Sequence, residues 1–319
     1  MRNIVRKLTP QFLLDLYRSS KKKSVKAQLE NDKSKGEIIT KEDLIQQFQS
    51  IGLKAGDHLL VHSSLSKIGF VEHGPKDVVD ALLEVVGPEG NLLMPNSPNA
   101  KYQLNYIQTL ECFDVMNSPS KLGAISEYFR LLPNSKRSAH PTEPVSCIGP
   151  DANYFTQEHF GELTPYTNKS PFYRISEKGG KILYLGVTFD NAGTNLHTLE
   201  DAVENFKFPV YYPEIFEAKV RLENGAEHTM KTKVHNPEQS KKRKCDGLIP
   251  LFEQKGILEY YQAIVLNPII IVLNISDIEI SSPEKLSELL KNNKTIRTVI
   301  MQNCKIEDKK LETFIASIL

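Results

Sequence analysis

The most constraining stretch of this sequence lies between residues 58 and 95. An apolar run, HLLVHSSL (58–65), ends on small hydroxyl residues. PKDVVDALLEVVG (75–87) follows, with apolar residues at 78, 79, 82, 83, 85 and 86, and NLLMP (91–95) is a second short apolar run. The outer two have strand length and composition, whereas the middle one has the period of an amphipathic helix ending on Gly87. Strand, loop, helix, strand in that order is the βαβ signature of a parallel or mixed sheet.

The flanking segments add elements of the same kind. Thr40 before KEDLIQQF, with Asp43 three residues on, predicts a capped helix over 40–50 that ends at Gly52. LGAISEYFRLL (122–132) reads as a helix stopped by Pro133, and KILYLGV (181–187) as a buried strand. A loop, FDNAGT, and a helix, NLHTLEDAVENF, come next. FEAKVRLENG and EHTMKTKVH predict a hairpin turning at Asn224-Gly225. SPEKLSELLKN, capped by Ser282 with Glu284 in its first turn, and DKKLETFIASIL have helical period.

Composition narrows the function classes. The 319 residues carry 40 basic and 39 acidic side chains, a net charge of +1, so the chain has no overall electrostatic signature for nucleic acid. Cys112, Cys147, Cys245 and Cys304 have neither zinc nor redox spacing, which fits a reducing compartment. The basic N-terminus lacks a signal-peptide core, and AIVLNPIIIVLNI, the longest apolar candidate, is short and interrupted by Asn267 and Pro268. The expectation is a soluble, cytoplasmic protein. Residues 1–37 hold ten Lys/Arg against four Asp/Glu, beside an apolar cluster of Phe12, Leu13, Leu14, Leu16 and Tyr17. The arm reads either as a solvated extension docking a few apolar groups or as a weak membrane-surface helix. SKKRK (240–244) reads as a solvated loop in preference to a nucleic-acid or nuclear signal.

Three segments are candidates for chemistry. VHSSLSKIGFVEHG (61–74) puts Ser63, Ser64, Leu65, Ser66 and Gly69 at the carboxyl end of a strand, the edge where open α/β sheets bind ligands. Backbone amides and hydroxyls there suit a phosphate or a pantetheine amide, although an ordinary βα loop carries the same residues. RSAHPTEPVSCIGPDA (137–152) joins Arg137, Ser138 and His140 to a stiff, Pro-bounded backbone: a rigid loop for a cofactor phosphate or carbonyl, or a plain connection. In GTNLHTLED (193–201), Thr194, His197 and Glu200 share a helix face, and a carboxylate beside a histidine can fix its tautomer for general-base work. The bland alternative is a helix cap with a solvent histidine. No G-x-S-x-G elbow, HExxH or close His/Cys cluster is present, so neither a serine nucleophile nor a metal site is indicated.

These segments in register, GLKAGDHLLVHSSLSKIG (52–69), RSAHP (137–141), KSPFYRI (169–175) and LGVTFDNAGTNLHTLE (185–200), resemble the aminoglycoside 3-N-acetyltransferase family over roughly residues 40–290. The resemblance implies a single α/β domain, a three-layer α/β/α mixed sheet, that moves an acetyl group directly from acetyl-CoA, as co-substrate, to an amine. It implies that Ser63, Ser64, Leu65, Ser66 and Gly69 line the CoA site, and that Arg137, Ser138 and Val145 hold its pantetheine and phosphates. His197 would take the amine's proton, with Glu200 orienting it or binding the substrate ammonium, and Asp190, Thr194, Asp201 and Glu204 would face the acceptor. Pro144 stands where the family usually has serine, and NSPNAKYQ (96–103) departs from the family after the MP pair, so acyl transfer is better supported than an antibiotic acceptor.

The resulting expectation is a basic extension over 1–37, a CoA-dependent N-acyltransferase domain over 38–293 and a C-terminal extension over 294–319, with no metal. The partner is a small-molecule amine, an aminoglycoside or an amino sugar such as one bound for a surface glycan, with no nucleic acid and no set oligomeric state. An amide or ester hydrolase using His197 to activate water, and an inactive CoA-binding scaffold, remain as alternatives.

Overall fold

A computed structural model of the chain describes residues 11–99, 102–203, 206, 208–254, 258–262, 269–274 and 300–302. The expected helices SPEKLSELLKN and DKKLETFIASIL, Glu204, Cys304 and the side chains of Phe12 to Tyr17 lie outside the described residues. The strands in chain order are β1 (Ile38–Ile39), β2 (His58–Ser63), β3 (Phe70–Val71), β4 (Asn91–Pro95), β5 (Phe113–Asp114), β6 (Lys136–Arg137) and β7 (Val145–Ile148). They continue as β8 (Lys181–Leu185), β9 (Phe216–Arg221), β10 (Glu227–Thr232), β11 (Leu258–Gln262), β12 (Ile269–Asn274) and β13 (Ile300–Gln302).

Eight strands form one mixed sheet in the order β11-β12-β13-β8-β2-β4-β7-β6. The expected βαβ unit is its centre: β2 pairs in parallel with β4 on one side and β8 on the other, and β7 closes against β4 antiparallel. Period-two alternation sends the residues of these strands to two separate cores. Leu59, Val61, Leu92, Met94, Leu183 and Leu185 face the helices Lys41–Ser50 and Pro75–Val86. Leu60, Leu93, Ile182 and Tyr184 face the other way, against Phe155, Phe172 and Phe252 from helices on the opposite side. The result is the three-layer α/β/α mixed sheet. Strand β13 comes from the stretch 294–319 expected as an extension, and its backbone pairs with β8 inside the sheet.

Local signals act where the sequence places them. Thr40 Oγ1 accepts from the Asp43 amide (3.2 Å) while Asp43 Oδ2 accepts from the Thr40 amide (2.9 Å), a complete capping box. Thr40→Ala is expected to lower stability by about 1 kcal/mol, read as a shifted urea midpoint at unchanged slope. The hairpin forms as β9 and β10, and Gly225 takes the left-handed turn at φ 81°. Two helices are shorter than their apolar patterns suggest. The segment 122–132 is helical only over Ala124–Arg130, and NLHTLEDAVENF becomes a 3₁₀ turn, Thr194–Leu196, followed by a helix over His197–Ala202. In the second case Asn195 is tied to His62 and to the Phe172 carbonyl, which fixes the tighter turn. The N-terminal arm is helical over Gln11–Ser34, with Lys33 Nζ 5.3 Å from the centre of the Phe70 ring. No described helix is long and apolar enough to cross a membrane.

Candidate active site

The carboxyl ends of β2, β4 and β8 lie side by side, and the chains leaving them are stitched together. The Ser64 amide donates to the Leu185 carbonyl (2.9 Å), joining the β2 exit to the end of β8. Gly186 makes that approach possible: at φ +72°, a Cβ there would stand 2.8 Å from Lys67 Cβ and 3.1 Å from the Ser64 carbonyl. The β4 exit is fastened to the hairpin between β6 and β7. The Asn96 amide donates to the Pro144 carbonyl (2.9 Å), and Ser97 Oγ donates to the Thr142 carbonyl (2.6 Å).

Two cavities open beside these ends. One, of about 250 Å³, is lined by His62, Ser63, Ser97, Val187 and others; the second, of about 210 Å³, is lined by Tyr102, Tyr166, Asp190, His197, His235 and Arg243 among others. Asn99, Glu143, Asn191, Ala192 and Thr194 border both, so the cavities adjoin. Such paired compartments at the carboxyl edge of a parallel sheet suit a reaction between two substrates.

At the second cavity, the helix His197–Ala202 presents His197 and Glu200 one turn apart, and His197 Nδ1 lies 2.7 Å from Glu200 Oε2. A proton on Nδ1 donated to that carboxylate leaves the lone pair on Nε2. The ring packs on Tyr166 (4.8 Å between centroids) and on His235 (3.9 Å). Burial holds the His197 imidazole well below the usual histidine pKa, and the Arg243 guanidinium and His235 push the same way, so it is neutral at pH 7. Arg243 reaches in from the loop after Ser240: Nη1 stands 2.6 Å from His197 Nδ1 and 2.8 Å from Nε2, and Nη2 ion-pairs with Glu200. The run SKKRK is therefore not simply a solvated loop. Lys241, Lys242 and Lys244 are exposed, but the Arg243 side chain is folded over the His–Glu pair with 14% exposure.

The remaining predicted site residues divide sharply. Ser63 and Thr194 line the cavities, and Asp190 lies exposed at the mouth of the second, its Oδ1 accepting from the Asp246 amide (2.9 Å). Ser64, Leu65, Ser66 and Gly69 follow Ser63 at the sheet edge, with Ser66 exposed, and line neither cavity. Arg137 is buried: Nε and Nη2 donate to Asn96 Oδ1 (2.9 Å) and the Asn96 carbonyl (2.6 Å), and Nη1 to the carbonyls of Val115 (3.1 Å) and Ser118 (2.6 Å). With every bond made internally, its guanidinium is a structural hub. Ser138 accepts from the Val145 amide (2.9 Å) and contacts His159 Nδ1 (2.8 Å), and both Ser138 and Val145 are fully buried. Asp201 is turned away, accepting from Tyr211 Oη (2.5 Å) and from Thr164.

What Arg137, Ser138 and Val145 support is a residue the sequence reading passed over. Glu143, at the tip of the β6–β7 hairpin, is buried between the two cavities and accepts from Gln103 Nε2 (2.9 Å). Burial pushes its carboxyl up to about 7. An acid set between Thr142 and Pro144 in a Pro-bounded loop was the available signal. The sign of its effect on stability follows from linkage. Between pH 4.5 and about 7 the unfolded carboxyl loses its proton while the folded one keeps it, so stability falls across that window. Glu143→Gln lacks this loss, and its Tm relative to the parent protein is expected to rise from pH 5 to pH 8 in thermal melts. A constant difference would show that the carboxyl is already ionised. His62 was also missed: it stacks on Tyr184 (4.9 Å) and meets Asn195 Oδ1 (3.1 Å), and burial pushes it down to about 4.

Comparison with known proteins gives this geometry its family. Residues 60–268 match the profile described as aminoglycoside 3-N-acetyltransferase. The chain is 38% identical over 162 residues to aminoglycoside N(3)-acetyltransferase IV of Salmonella, covering 50% of this chain and 58% of that protein. It is 31% identical over 177 residues to the aminoglycoside N(3')-acetyltransferase-like protein YokD of Bacillus subtilis, covering 50% and 64%. The chain thus spans about three fifths of the length of these curated relatives. In fold it resembles the apoenzyme of aminoglycoside acetyltransferase AAC(3)-IVa, with a TM-score of 0.58 at 28% identity over 74% of this chain and 83% of that one. A second structure, AAC-IIIb binary with CoASH, has a TM-score of 0.61 at 22% identity over 74% and 91%. The match over most of the three-layer sheet and its carboxyl-edge loops places this chain in the aminoglycoside 3-N-acetyltransferase family.

Proposed function

We propose that the chain is a CoA-dependent N-acyltransferase in which His197 is the general base and Glu200 its orienting partner. The observation that carries this reading is a buried histidine within hydrogen-bond reach of a carboxylate at one of two adjoining cavities on the carboxyl edge of β2, β4 and β8. The first cavity suits the thioester end of acetyl-CoA, because Ser63, Ser97 and Asn99 offer hydroxyl and amide groups beside apolar Val187. The loop Ser63–Ser66 with Gly69 guides the pantetheine chain, while Arg137, Ser138 and Val145 act from beneath by holding the β6–β7 hairpin in place. The second cavity takes the amine acceptor, an aminoglycoside or amino sugar, with Thr194 between the substrates and Asp190 at the mouth.

In the proposed reaction the amine nitrogen bonds to the acetyl carbonyl carbon, and the C–S bond then breaks. The products are an N-acetyl amide and free CoA thiol. An alkyl ammonium has an unperturbed pKa of about 10, so it must shed a proton before attack. That first proton goes to solvent; once Arg243 moves aside, Nε2 of His197 takes the second proton from the nitrogen as the C–N bond forms and passes it to the departing CoA sulfur. The relatives support the substrate classes: a mutant of AAC(3)-IVa, 28% identical to this chain, was solved with a gentamicin and with apramycin. The test is calorimetric binding of acetyl-CoA, followed by thiol release with a panel of aminoglycosides and amino sugars. Binding with acceptor-dependent thiol release is expected. Absence of acetyl-CoA binding, or thiol release independent of any amine, would sink the reading.

A further inference from the structure

We infer that His235 is a second histidine in contact with the reacting amine: its Nε2 accepts the N–H that His197 does not take, and the site thereby selects primary amines over N-alkylated ones. This rests on the acyl-transfer reading and adds a catalytic residue to it. His235 borders the second cavity and is 9% exposed, and its Nε2 is a buried ring nitrogen with no hydrogen-bond partner. Of the four such side-chain atoms among the described residues, only this one belongs to a residue lining either cavity. An unsatisfied buried polar atom is costly to keep, and one beside a substrate cavity is matched by a bond that the ligand completes.

The ring is held ready for that bond. The His235 amide donates to Gln103 Oε1 (2.9 Å), and Gln103 Nε2 donates to Glu143, so the backbone is tied to the β6–β7 hairpin. The imidazole stacks on Tyr166 (5.3 Å between centroids) and Tyr211 (5.2 Å) and lies against His197 (3.9 Å). Burial pushes it down to about 3, so it adds no second positive charge when His197 takes a proton. With its own proton on Nδ1, the neutral ring offers a lone pair at Nε2. A ring nitrogen of His235, one of His197 and a Glu200 oxygen lie within 4.8 Å of one another. One amine nitrogen can therefore reach both imidazoles through ordinary hydrogen bonds of about 3 Å. A neutral primary amine has one lone pair and two N–H groups. The lone pair bonds to the carbonyl carbon, and one proton goes to His197 Nε2. The other proton stays on nitrogen into the product amide, and His235 Nε2 accepts it throughout, turning the lone pair toward the thioester. A secondary amine has a single N–H, so an alkyl group would face His235 Nε2 and leave it unpaired.

The test uses the full chain and its His235→Phe and His235→Gln variants, with acetyl-CoA as donor and thiol release as the readout. Phenylalanine keeps a ring against the two tyrosines but has no nitrogen, whereas glutamine restores an acceptor on a flexible chain. The probes are two pairs: glucosamine with N-methylglucosamine, and gentamicin C1a with its 3-N-methyl derivative. The parent protein is expected to favour the primary amine of a pair by roughly tenfold in kcat/KM. His235→Phe should lower kcat for the primary amine by about the same factor and change the N-methyl partner little, so the preference collapses; His235→Gln should recover part of it. The preference is a ratio measured on one sample, so partial loss of folded protein does not alter it. A purely structural role for His235 would depress both members of a pair alike and keep the ratio. That result, or a parent protein without preference, overturns the role of His235 while acyl transfer stands. Absence of amine-dependent thiol release with all four probes overturns the acyl-transfer reading, and the role of His235 with it.

Discussion

Replacing His197 with alanine is expected to lower kcat by roughly 10²–10⁴-fold, the usual worth of a positioned general base. The fold should survive, because the side chain sits at a cavity wall among Tyr166, His235 and Arg243 and carries no sheet or helix hydrogen bond. The acetyl-CoA dissociation constant should stay close to that of the parent protein, since Ser63 and its neighbours border the other cavity. Glu200→Gln should fall between the two, because the amide still reaches Nδ1 but no longer balances the imidazolium that forms in the reaction. The decisive measurement is steady-state thiol release across pH. In the parent protein the rate should require neutral His197, whereas in His197→Ala the residual rate should rise with pH as free amine accumulates. A loss of less than threefold with the fold intact would remove His197 from the mechanism.

Arg137→Ala is expected to destabilise the protein by about 3–5 kcal/mol, because it strands several buried acceptors at once. The guanidinium satisfies Asn96 Oδ1 and the carbonyls of Asn96, Val115 and Ser118, and it stacks over Phe113 at 4.9 Å. It thereby ties the β4 exit to the segment after β5 and to the hairpin that carries Glu143. Arg137→Lys should recover little, because an ammonium cannot span acceptors arranged for a planar fork. The urea midpoint reads the loss of stability, and the acetyl-CoA dissociation constant under native conditions separates the alternatives. If Arg137 held a CoA phosphate directly, affinity would fall while stability stayed near that of the parent protein.

The contrast between Arg137 and His197 marks where sequence reasoning reaches and where it stops. The capping box at Thr40 and Asp43, the helix over Pro75–Val86, the parallel pair β2 and β4, the β9–β10 hairpin and the His197–Glu200 contact were all legible in the chain. Each depends on residues within a few positions of one another or on hydrophobic period, and both are written into the local order of side chains. The motif RSAHP was equally visible, but motif and spacing say nothing about which of its side chains is buried. The hairpin turns Arg137 and Ser138 inward to structural partners and brings Glu143 to the cavities. Arg243 is 46 residues from His197 in the chain, and as part of a run of lysines it reads as solvated surface. Only the packing of its loop against the second cavity makes it part of the site. The sequence by itself determined the parallel strands at the centre of the sheet, the capped helix, the hairpin and the His197–Glu200 contact, because short-range hydrogen bonding and periodic burial specify them. Tertiary structure alone decided which charges are buried and what they face, because desolvation and ion pairing depend on neighbours that the chain brings together only on folding.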